Sequence, residues 1–175
     1  MTRTRDVATQ GGLVLLNTTT FSAQSTVSFN NVFSSTYDNY KVLVNINSVS
    51  TTLNGQLRLR ASGTDDSSGF HYSSGISTIP TTTAISNWNY QGTTSFIPFR
   101  TNSSGGNGLG VSEINLFNPA KSIITIVTYN SLTNFGDTQF NIGGGQHFVN
   151  TAYDGFSLIA STGNMTGTIE VYGYK

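Results

Sequence analysis

The stretch Tyr153–Lys175, YDGFSLIASTGNMTGTIEVYGYK, decides the fold class. Two apolar-alternating runs, Gly155–Ser161 and Gly167–Tyr174, flank a turn made of Ser161, Thr162, Gly163 and Asn164. Phe156, Leu158 and Ala160 share one face of the first run. In the second, Ile169 and Val171 share a face, while Thr168, Glu170 and Tyr172 point the other way. A period of two is the signature of half-buried strands. The two runs are expected to pair as a hairpin, with the final strand locked into a sheet that only the complete chain can close.

The same alternation recurs upstream. Gly12–Asn17 and Thr20–Phe29 are two apolar runs separated by Thr18 and Thr19, and Val27 and Phe29 fall on one face. In Asn39–Asn47, Tyr40, Val42, Val44 and Ile46 line one face and Lys41, Leu43, Asn45 and Asn47 the other, after a turn signal at Tyr37-Asp38-Asn39. Gly55–Ala61 alternates Leu57 and Leu59 with Arg58 and Arg60, which reads as a solvated or subunit-facing arginine stripe.

Gly63–Gly69 is a turn cluster, followed by the short aromatic run Phe70-His71-Tyr72. Ser73–Thr94 is Ser/Thr-rich, with Pro80 and the aromatic island Asn87-Trp88-Asn89-Tyr90. Ser95–Arg100 carries Pro98, which suits an edge strand, and Thr101–Gly110 reads as a flexible loop. Val111–Phe117 and Ser122–Asn130 are strands joined by the turn Asn118-Pro119-Ala120-Lys121. Gln139–Ile142 is a weaker strand that Gly143–Gly145 should break. No window sustains a period of 3.6, so essentially no helix is expected. Eight to ten short strands in one domain, residues 12–175, predict an all-β antiparallel sandwich, jelly-roll-like, behind an N-terminal arm of residues 1–11.

Composition narrows the function. Ser, Thr, Asn and Gly make up nearly half the chain, yet 11 Phe, 8 Tyr and 36% hydrophobic residues in alternating runs exclude disorder. Only 9% of residues are charged, and the 8 bases balance the 8 acids. Without a basic excess, neither nucleic acid nor an anionic membrane surface is the expected partner. A surface with net charge near zero favours association. No apolar run reaches the roughly 18–20 residues of a membrane helix, and the runs are too short and polar for a lipid-facing barrel. The opening MTRTRDVATQGG has no apolar core of signal-peptide type, which places synthesis in a cytoplasm. Cysteine is absent, so no disulfide contributes.

Catalytic constellations are sought and not found. Sugar hydrolysis needs two carboxylates across a cleft. Only Glu113 and Glu170 lie within strands, on the faces opposite the apolar sets, and spacing does not require them to meet. His71 and His147 are far apart and in no ligand-spaced motif. Asp65-Asp66-Ser67-Ser68 has the oxygens for Ca²⁺ but reads first as a turn. No Ser sits in a G-x-S-x-G elbow, and Gly105–Gly110 lacks the Lys-Ser/Thr of a phosphate loop. The expectation is a non-enzyme without cofactor or metal. What remains is surface: Trp88 and Tyr90, bracketed by Asn87, Asn89 and Gln91, suit contact with a glycan or a protein, or else Trp88 packs beneath the long loop.

The opening Thr2-Arg3-Thr4-Arg5-Asp6-Val7-Ala8 resembles the R-x-R-D-x-A opening of tail-fibre and virion proteins of marine phages, cyanophages especially. Tyr37–Val42 (YDNYKV), Leu57–Gly63 (LRLRASG) and Gly167–Lys175 (GTIEVYGYK) resemble the layout of small phage structural β-sandwich proteins. Such proteins decorate capsids or build tail tips and fibres, often as trimers. A globular domain follows the opening directly, which points to a compact decoration, knob or tip module instead of a fibre shaft. The resemblance implies a virion location, other virion proteins as partners, a homo-oligomer with a trimer favoured, and docking through Arg3, Arg5 and Asp6. A host-surface glycan is the alternative partner, met by Trp88 and Tyr90.

Overall fold

A computed structural model describes residues 12–79, 82–101, 109–134 and 138–175. Thirteen strands are present among them, and no helix. In chain order they are β1 (Val14–Gln24), β2 (Thr26–Phe29), β3 (Asn39–Val49), β4 (Leu53–Ala61), β5 (Thr64–Asp65), β6 (His71–Ile79) and β7 (Ala84–Thr93). There follow β8 (Phe96–Thr101), β9 (Gly110–Phe117), β10 (Thr125–Asn134), β11 (Thr138–His147), β12 (Gly155–Ala160) and β13 (Met165–Tyr174).

Two antiparallel sheets pack face to face. The larger has the order β1-β13-β3-β9-β10-β11-β6-β7; the smaller is β2-β12-β4-β5, with β8 also paired to β4. Eight of these strands trace a jelly roll, β1-β13-β3-β9 over β2-β12-β4-β8, in which each successive strand passes to the other sheet except at β4 to β8, which pair within the smaller one. Two hairpins, β6–β7 and β10–β11, are added to this frame. Both join the edge beyond β9 and widen the larger sheet to eight strands.

The alternating apolar positions become the core as expected. Tyr40, Val42, Val44 and Ile46 of β3 are buried, and so are Leu57 and Leu59 of β4, Phe156, Leu158 and Ala160 of β12, and Ile169 and Val171 of β13. Phe29 stacks on Phe156 with ring centroids 4.7 Å apart, which joins β2 to β12. Pro98 lies on β8, which pairs only with β4 and so needs no second row of ladder donors. The turn at Asn118–Lys121 is closed by the Lys121 amide donating to the Asn118 carbonyl at 3.1 Å.

Four local expectations are corrected. The runs of Tyr153–Lys175 are not a hairpin: β12 pairs with β2 and β4, whereas β13 pairs with β1 and β3. Each run has its own apolar face to bury, and the turn between them carries the chain across the sandwich. β1 continues through Thr18 and Thr19, because its partner β13 supplies a ladder irrespective of side-chain polarity. β11 passes unbroken through Gly143, Gly144 and Gly145. The Ser/Thr-rich segment after His71 forms the β6–β7 hairpin, and these added strands lift the count above eight to ten. The arm 1–11, Pro80 and most of the Thr101–Gly110 loop fall outside the described residues.

Candidate functional site

The broadest concavity lies on the outer face of the larger sheet. Strand register builds it in rows. One row runs Glu170, Leu43, Glu113, Asn130, Ile142, Ile76 across β13, β3, β9, β10, β11 and β6. The next runs Thr168, Asn45, Val111, Leu132, Phe140, Thr78, ending at Ile85 on β7. Together they form a groove of about 600 Å³ with Leu43, Val111, Leu132 and Phe140 on its floor. The apolar members of these rows are 36% to 74% exposed. An outward sheet face is ordinarily polar, so an apolar stripe crossing six strands is a surface with something to cover.

Two carboxylates stand at the groove's edge. Glu113 is ion-paired to Lys41 at 2.8 Å, and Lys41 and a hydrogen bond from Asn115 hold its carboxyl below the usual range. Glu170 accepts from the Tyr172 hydroxyl at 2.7 Å and has no Lys or Arg partner among the described residues. Both flank Leu43, one strand to either side, which puts them roughly 10 Å apart by the spacing of strands. Sequence reasoning found both residues on an exposed face; the pairing of β13 with β3 brings them to one row.

A second cluster is buried. His71 and His147 are directly opposite on β6 and β11, fully buried, with ring centroids 4.2 Å apart. His71 donates its Nδ1–H to the Ser68 and Thr93 carbonyls, both at 3.1 Å. His147 donates Nε2–H to Asp66 Oδ2 at 2.9 Å, and the Tyr153 hydroxyl donates to the same oxygen at 2.6 Å. Burial and the neighbouring His147 lower the His71 pKa to about 4. Burial opposes the Asp66 charge, but hydrogen bonds from Ser68, Tyr153 and His147 outweigh it and hold the carboxyl well below its usual value. The cluster acts as a polar pin. It ties the loop before β6 and the segment before β12 to the added hairpins.

Trp88 and Tyr90 face inward on β7. The indole crosses the space above Gly75 and Gly143 and lies parallel to the Tyr129 ring, 7° between planes and 5.9 Å between centroids. Tyr90 adjoins it at 5.6 Å. The hollow between this pair and Pro98 and Phe99 measures about 40 Å³, room for a water and not for a sugar ring. The two aromatic residues therefore cap the added hairpins, and Trp88 also borders a hollow on the opposite face. The neighbouring Asn87 and Asn89 are exposed on the other face, beside a hollow of about 480 Å³ that also includes Ser74.

Arg58 and Arg60 lie on the outer face of the smaller sheet. Arg60 is ion-paired to Asp65 and donates to Ser157 at 2.8 Å and Asn30 at 3.0 Å; Arg58 donates to the Thr94 carbonyl at 3.1 Å. Asp65 and Asp66 turn to different partners, Arg60 and His147, and do not converge on a cation site. Arg3, Arg5 and Asp6 lie outside the described residues. The His71–His147 pair was beyond sequence reasoning, since only the pairing of β11 with β6 brings the rings together. No protein-family model matches the chain, and no curated protein matches it.

Proposed function

We propose that the protein is a non-enzymatic structural subunit on the exterior of a phage virion, a capsid decoration, knob or tail component. It is seated through its N-terminal arm and one sheet face. The observation that carries the assembly reading is the apolar outer face of the larger sheet, with Leu43, Val111, Leu132, Phe140, Ile142, Ile76 and Ile85 in two adjacent rows. A free monomer rarely keeps so continuous a patch bare, whereas a subunit in a particle hides it against neighbours. The charge-poor composition suits a surface that ends up covered. The virion location rests on the resemblance of the opening and of the three internal segments.

Deleting residues 1–11 is expected to leave the fold intact by circular dichroism and to abolish binding to particles that lack the protein, followed by co-sedimentation. Truncated protein that still sediments with particles would sink the reading.

The alternative is a receptor- or glycan-binding module of a tail tip or fibre. The amide-lined hollow beside Asn87 and Asn89 favours it, since exposed amides next to a shallow depression suit sugar hydroxyls. A glycan array on the intact protein and on Asn87→Ala with Asn89→Ala separates the two: signal lost in the double variant supports glycan binding, and no signal in either supports pure assembly.

A further inference from the structure

We infer that the groove on the outer face of the larger sheet receives residues 1–11 of a second copy of this chain. The inference rests on the assembly reading above and names the partner surface. Glu170 and Glu113 flank the apolar floor, and Glu170 has no cation partner among the described residues. The arm supplies the complement. In an extended segment alternate residues share a face about 7 Å apart, so Met1, Arg3, Arg5 and Val7 fall together: two guanidinium groups between two apolar side chains. Arginine forks fit carboxylates in bidentate pairs, and their length bridges the roughly 10 Å between the two glutamates.

The direction of β1 favours a neighbour's arm over the chain's own. Val14 lies opposite Gly173, while the groove residues Glu170 and Thr168 lie opposite Thr18 and Thr20, further along the strand. The chain therefore enters β1 from the Gly173 end, and a segment preceding β1 has to reverse direction to reach the groove of its own copy. An arm given to one neighbour and a groove filled by another is a heterologous contact, which makes a ring such as a trimer where the rotation closes and a filament where it does not.

The chain has no cysteine, so introduced thiols report the contact cleanly. Full-length Thr4→Cys is mixed with full-length Asn130→Cys, whose residue lies in the groove, and treated with a short bis-maleimide. Gln56→Cys, on the outer side of the smaller sheet, is the control. Asn130 is exposed and Gln56 half-exposed, and circular dichroism melts check the fold of all three variants.

The expected result is a covalent dimer of Thr4→Cys with Asn130→Cys, at least about fivefold above the control pair, and reduced by Glu170→Gln and by added salt, as a partly exposed ion pair requires. Equal yields from both pairs would overturn the inference. So would a Thr4→Cys with Asn130→Cys double variant that cross-links only within one chain. No particle is present in the assay: protein that joins particles without the cross-link refutes the groove alone, and a cross-link without particle binding refutes the virion reading alone.

Discussion

Gly75 and Gly143 leave the room that Trp88 fills. A Cβ at Gly143 would sit 2.5 Å from the indole and 2.8 Å from the Tyr129 ring, and at Gly75 it would run into the same indole and the Ile142 carbonyl. Valine is a better strand former than glycine, by up to about 1 kcal/mol. Overpacking of this kind costs about 1–3 kcal/mol or more, so packing decides the sign. Gly143→Val is expected to lower stability in urea melts and to shift the emission of Trp88, the sole tryptophan. An unchanged midpoint would disprove the stacked arrangement.

Buried His71 sets the response to acid. The folded-state pKa of His71, about 4, lies below the ordinary value of 6.5, so its neutral form is the one that the fold keeps. That contribution is complete above pH 6.5 and is lost as pH falls toward 4, at up to 1.4 kcal/mol per pH unit and about 3 kcal/mol in all. Asp66 acts in the same direction lower down, because a carboxylate held below its usual value loses its contribution as pH falls past 4. Unfolding free energy measured from pH 8 to pH 4 should be flat at first and then decline from pH 6.5. A profile that is level down to pH 4.5 would show that the pair is solvated.

At the scale of elements, β13 carries most. It lies between β1 and β3, and Met165, Ile169 and Val171 are fully buried. Removing each such side chain costs about 2–5 kcal/mol, so losing three, with two ladders, exceeds the 5–15 kcal/mol of a typical domain. A chain ending at Asn164 is expected to show no cooperative thermal transition by circular dichroism; a sharp melt would refute the central place given to the strand. The existence of this strand was legible because its alternation is strict. Its partners were not, since a period of two states which face is buried and not which strand lies alongside. Nearness in sequence suggested β12, but both runs needed the same interior, and they meet it from opposite sides. The glycine run in β11 was misread for a related reason: Gly143 looks like a break until Trp88, from a strand outside the jelly-roll frame, fills its place.

On the scale of the molecule, the two added hairpins make the larger sheet wider than the smaller one and give the outer face its groove. Sequence alone determined that the chain is an antiparallel β-sandwich of jelly-roll type and which strands have a buried face. The fold class and the buried faces follow from local alternation, which a chain carries whatever its partners. Only the tertiary structure decided that Glu113 and Glu170 flank one apolar floor, that His71 meets His147, and that Trp88 lies on Tyr129. Each of those depends on strand register between segments distant in sequence. Register is set by the fit of whole faces against one another, a property no single stretch contains.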